Sequence, residues 1–179
     1  SQELNRCTDI GIFDKTQDVV VSGTRLLLCD TLLSQHSAGS VQKLKNSIID
    51  KMLSSHLSRA EVDFILYLSH YQDDKGKIYG VYYRDACAAL GISYETFYVT
   101  VDSLVAKGFL RCEKASYSDF DLTIIGNDFS QPGAYQDGYL STGHAIFFDK
   151  AFMALKAGEK LLAMKILVIT GATNSGKYY

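Results

Sequence analysis

Apolar residues fall at helical spacing in some stretches of the chain and at alternating spacing in others, and the order of the two patterns is informative. Val41, Leu44, Ile48, Met52 and Leu53 repeat with a period near 3.6 and predict a helix over 40–55. Ser58 followed by Glu61 has the form of a capping box. Val62, Ile65, Leu66 and Leu68 then make one face of a helix ending near Tyr71. A polar turn over 73–77 leads to a short strand over 78–81. A second short helix, 82–90, turns Ala86, Ala89 and Leu90 inward, and Gly91 stops it. Ser93 starts a third helix with Phe97, Val101, Leu104 and Val105 as its buried stripe, closed by Gly108. Alternation predicts strands over 109–113 and 120–125, joined by a polar turn at 115–119 and ended at Gly126.

Outside this block the pattern is sparser. Residues 18–28 are rich in β-formers around Ser22-Gly23 and predict a short hairpin, and 35–40 reads as a polar loop. Near the other end, Leu155 with Glu159 and the apolar run behind them look like Leu57 with Glu61 and theirs. Ser175-Gly176-Lys177 then matches Lys75-Gly76-Lys77 after a two-residue insertion, so the two stretches read as a degenerate internal repeat. The expected organisation is an N-terminal extension over 1–56 (hairpin plus helix), a main domain over 57–126 and a linker over 127–150. Residues 151–179 are expected to be the first helix and turn of a second, truncated repeat, which predicts a longer parent protein.

The main block runs helix, short strand, helix, tight turn, helix, two-stranded hairpin. Residues 82–104 carry a small residue at Ala86 or Cys87 for close helix approach, Gly91 in the turn, Ile92 between the helices, and Phe97 with Val101 packing the second one down. This stretch resembles a helix-turn-helix. Leu104-Val-Ala-Lys-Gly-Phe-Leu-Arg111 is similar to the segment that closes the third helix in winged-helix regulators. The resemblance covers roughly 70 of the 179 residues. It implies an α+β, mainly helical winged helix-turn-helix. Tandem winged helices of this kind resemble the replication initiators of bacterial plasmids and mobile elements, an architectural likeness that implies double-stranded DNA as partner.

Composition and charge alter that expectation. With 47% hydrophobic and 21% charged residues and a single proline, Pro132, the chain reads as folded and soluble, without a Pro-rich linker. Ser1 to Ile10 lack a basic start and an apolar run, so no secretory signal is expected, and the apolar run 161–169 is too short to span a bilayer. Cysteines 7, 29, 87 and 112 and histidines 36, 56, 70 and 144 have no metal-ligand spacing, which predicts reduced thiols, no metal, and a cytoplasmic location. Cys87 and Cys112 fall on predicted core positions. The net charge is −2, and 58–125 hold seven basic and ten acidic residues, a balance that weakens binding to phosphate.

Three motifs carry candidate chemistry. Gly171-Ala-Thr-Asn-Ser-Gly-Lys177 has the spacing of a phosphate-binding loop, but Tyr178 replaces the magnesium-binding Ser or Thr, so a polar turn is the expectation. Ser40-Val-Gln-Lys43 has the SxxK spacing of some acyl-transfer enzymes, yet sits at a predicted helix start with no companion motif. No paired carboxylates or nucleophile–base pair support an enzyme, and no cofactor is implied. The candidate DNA-binding residues are Ser93, Tyr94, Glu95, Thr96 and Tyr98 on the third helix. Arg84 on the second helix, Lys107 after the third, and Arg111 and Lys114 in the wing complete the set. Residues 1–55 are the candidate pairing element of a homodimer. The competing expectation is a winged helix that binds protein. A continuous basic strip across the third helix and wing would favour DNA, and a mixed or acidic one would favour protein.

Overall fold

The computed structural model describes residues 42–115, 118–142 and 144–175, without the side chains of 114, 115, 142, 144, 145 and 171–175. The chain divides into two units, 1–40 and 41–179, and all described residues belong to the second. The hairpin expected over 18–28 and the loop over 35–40 lie outside the described residues, as does most of the expected pairing element. The fold is α+β.

Elements run β1 (Gln42–Lys45), α1 (Asn46–Ser54), α2 (Arg59–Tyr71), β2 (Lys77–Tyr82), α3 (Tyr83–Leu90), α4 (Tyr94–Ala106), β3 (Leu110–Ala115), β4 (Asp119–Ile124) and β5 (Tyr139–Thr142). A 3-10 turn (His144–Phe148), α5 (Lys150–Met153) and α6 (Ala157–Ser175) follow. From α2 to β4 the elements fall where the spacing predicts. The capping box is formed: the Ser58 hydroxyl accepts from the Glu61 amide, and the Glu61 carboxylate accepts from the Ser58 amide. Gly91 ends α3 at φ 65°, a left-handed conformation open to glycine, and Ile92 closes the turn by donating to the Cys87 carbonyl at 3.1 Å.

Three antiparallel strands form one sheet in the order β2-β4-β3, with Ile78 opposite Leu122 and Leu110 opposite Ile124. Gly76 enters β2 at φ 77° with the backbone oxygens of Ile124 and Asn127 3.1 Å from where a Cβ would stand, so the approach requires glycine. The core beneath the sheet is aromatic and aliphatic: Phe64, Phe97, Phe109 and Leu104 are fully buried, and Phe64 meets Phe97 edge to face at 5.6 Å. Two predicted core positions differ. Val105 is exposed, since Leu104 already fills the inward position on that turn of α4. Cys112 faces solvent, next to an irregularity in the β3–β4 pairing between Cys112 and Lys114 that interrupts the alternation.

The largest departure from the sequence pattern lies at the ends. Residues 42–45, expected within a helix, form a strand paired with β5, Leu44 opposite Leu140. Leu44 satisfies both patterns, because it is i−4 to Ile48 and also two residues from buried Gln42. Gln42 donates to the Leu66 carbonyl at 2.7 Å and to the Ser69 hydroxyl at 2.6 Å, which seats the strand on α2. The stretch 127–150, expected as a linker, supplies β5 and buries Asn127, Phe129, Leu140 and Phe147. Asn127 accepts from the Lys45 amide and donates to the Lys43 carbonyl and the Gln72 side chain, joining β1 to the end of α2. Phe129, Tyr135 and Tyr139 pack at 5.1–5.7 Å between ring centroids, with the Lys43 ammonium over all three.

Helix α6 packs against α1, α2 and β5 and buries Leu161 and Met164 in the same core. It runs unbroken through Gly171 to Ser175, so the stretch expected as a polar turn is helical there. The turn and strand that the repeat predicts after Ser175 lie outside the described residues. Lys160 on α6 is fully buried and ion-paired with Asp63 of α2, with the Phe152 ring 5.4 Å away.

Candidate functional site

The candidate site is the outer face of α4, and its own capping fixes where it begins. Ser93 is the N-cap, its hydroxyl accepting from the Thr96 amide at 3.1 Å. Phe97, Thr100, Val101 and Leu104 point into the core. The opposite side exposes Tyr94, Glu95, Val99, Asp102, Val105 and Ala106. Val99 is 62% exposed and Tyr94 55%, so this face presents apolar and aromatic surface together with two carboxylates. No lysine or arginine belongs to it. Thr96 and Tyr98 are half-buried: Thr96 is engaged with Ser93, and Tyr98 lies against Phe97 and Phe120.

A tyrosine cluster flanks the start of α4. Tyr94 meets Tyr83 at 5.2 Å and Tyr98 at 4.6 Å, and Tyr82 meets Tyr83 at 5.2 Å. Arg84 is exposed at the start of α3. Its Nε donates to the Tyr83 hydroxyl at 3.0 Å, and its guanidinium lies 5.8 Å from the same ring. The structure therefore brings Arg84, Tyr94 and Tyr98 together around Tyr83, with Ser93 and Glu95 beside Tyr94 in the chain.

Lys107 is the exposed C-cap residue of α4. Its ammonium donates to both carboxylate oxygens of Glu61, at 3.1 and 2.8 Å, and so is committed to the cap of α2. Glu61 is only 5% exposed and also accepts from Ser103 at 2.5 Å. Burial pushes its carboxyl up, but Lys107, Ser103 and the Ser58 amide together outweigh burial and hold it below the usual glutamate range. The two residues are 46 positions apart, so no local pattern announces this pair.

In the β3–β4 hairpin Arg111 is exposed, 3.5 Å from Glu113, and Glu113 is also paired with Lys77 at 2.8 Å. The Lys77 ammonium holds the Glu113 carboxyl below its usual range, and Glu113 in turn raises Lys77. One carboxylate thus answers two cations. Lys114 lies in β3 with its side chain outside the described residues. The described surface from α4 to this hairpin is mixed in charge, acidic along the helix, with Lys77 and Arg111 sharing Glu113 in the strands.

Burial raises the thiol pKa of half-buried Cys87. Among the described residues no group of three His, Cys, Asp or Glu could hold a metal ion, and no helix is long and apolar enough to cross a membrane. Comparison with known proteins found no matching family model, curated protein or solved structure. The chemistry of the face itself is what bears on function.

Proposed function

We propose that residues 57–126 are a winged helix-turn-helix whose α4 face binds another protein, making the chain a non-enzymatic assembly module. The order of elements α2-β2-α3-α4-β3-β4, the strand order β2-β4-β3, the Gly91 turn and the Ser93 cap support the winged-helix reading. The observation that carries the functional reading is the exposed face of α4. In a DNA reader this helix enters the major groove among phosphates and needs neutralising side chains around it. Here it offers Glu95, Val99 and Asp102, and Lys107 is engaged by Glu61. Exposed apolar and aromatic groups with few cations suit a protein interface.

Sequence-specific binding of double-stranded DNA, in transcription control or replication initiation, is the second reading. It is favoured by Arg84 standing on the tyrosine cluster at the start of α4, where its guanidinium and the tyrosine hydroxyls could take a phosphate. A Glu95→Lys/Asp102→Lys variant, compared with the wild type on a random 20-base-pair duplex pool at about 50 mM salt, separates the two. Fluorescence anisotropy is expected to show binding by the variant and none by the wild type. Wild-type binding that Arg84→Ala removes would move the function to DNA.

A further inference from the structure

Along α4, Glu95, Val99, Asp102 and Ala106 stand at i, i+4, i+7 and i+11, and all four are exposed, so they form one ridge. At 1.5 Å rise per residue the two acidic positions are about 10 Å apart along the axis, with Val99 between them. Among the described residues, no lysine or arginine forms an ion pair with either carboxylate. Lys107, the cation nearest in sequence to Asp102, is held by Glu61 instead. Tyr94 adds an exposed aromatic face at the start of the ridge.

We infer that this ridge docks a basic helical segment of a different protein, one that carries two Lys or Arg side chains seven residues apart with an apolar residue between them. This rests on the protein-binding reading above. Charge complementarity selects the occupant: cations at i and i+7 on a partner helix match the spacing of Glu95 and Asp102. An apolar side chain at i+3 or i+4 covers Val99. An arginine at the Tyr94 end gains the stacking and cation–π contact that a planar guanidinium makes with a tyrosine ring. A second copy of the chain is a poor occupant, because pairing α4 with itself sets carboxylate against carboxylate. A nucleic acid meets the same repulsion.

The test is selection from a display library of 16-residue helix-biased peptides on the full chain, repeated with Val99→Asp and with Glu95→Gln/Asp102→Asn. All three substituted side chains are exposed, and matching circular dichroism and thermal unfolding establish that the variants are folded. Peptides enriched on the wild type are expected to carry the i, i+7 basic pair around an apolar residue. Their binding should weaken with salt and fall at least tenfold on either variant. Enriched peptides that depend on Val99 but lack the basic pair would overturn this inference and leave the protein-binding reading standing. Absence of any Val99-dependent peptide would overturn both. Val99-dependent self-association of the chain would replace the basic segment with a second copy.

Discussion

Glu61 serves two elements at once: its carboxylate caps α2 through the Ser58 amide and receives Ser103 and Lys107 from the end of α4. Replacing it by alanine keeps the Ser58 hydroxyl cap but removes the carboxylate half of the capping box together with the Ser103 and Lys107 contacts, and leaves Lys107, which is partly solvated, to rehydrate, so the expected loss is about 2 kcal/mol. The pH dependence has a definite sign. The folded carboxyl lies below its unfolded value, so its contribution is complete above an unfolded pKa of about 4.3 and is lost as pH falls through the lower folded value. Urea denaturation of the wild type and Glu61→Gln from pH 7 to pH 3 should show a stability gap that closes on acidification. A gap that widened, or did not change, would mean that the ion pair contributes nothing to the fold. Lys107→Ala is expected to lower stability while leaving any ligand binding by the α4 face unchanged, which distinguishes a structural lysine from a DNA-contacting one.

Between elements, a buried Asp63–Lys160 pair joins α2 to α6. Asp63→Ala would strand a fully buried ammonium, at an expected cost of about 3–5 kcal/mol, whereas Asp63→Leu with Lys160→Met should be close to neutral. Equilibrium unfolding of the two variants checks this; a double variant as unstable as the single one would show that the charges themselves are needed. How far each element was legible in the sequence follows the range of its contacts. The block from α2 to β4 was readable because local signals agree: a capping box, a left-handed Gly91, a Ser93 cap and clear periodicity. Strand β1 was not, because Leu44 fits a helical and an alternating pattern, and only pairing with β5, nearly 100 residues away, decides between them. The same long-range pairing gives 127–150 its structure, and α6 continues through Gly171 even though that residue is a poor helix former. At the candidate site the exposure of Tyr94, Glu95, Val99 and Asp102 could be anticipated from the helical period. The pairing of Lys107 with Glu61, and the sharing of Glu113 between Lys77 and Arg111, needed the tertiary arrangement.

On the scale of the whole molecule, charge placement weighs more than net charge. A total of −2 over 179 residues would permit a basic face on one side, yet the exposed side of α4 carries acids and apolar groups, and the cations near it are largely engaged elsewhere. The fold alone suits either partner, so the α4 face decides between them. The most direct measurement is amide chemical-shift mapping of the wild-type chain on addition of a random-sequence 20-base-pair duplex pool at about 50 mM salt, where phosphate contacts are strongest. The protein-binding account predicts that residues 93–106 do not shift. Salt-sensitive shifts concentrated at Arg84, Ser93, Tyr94 and Thr96 would contradict it and place α4 in a DNA groove.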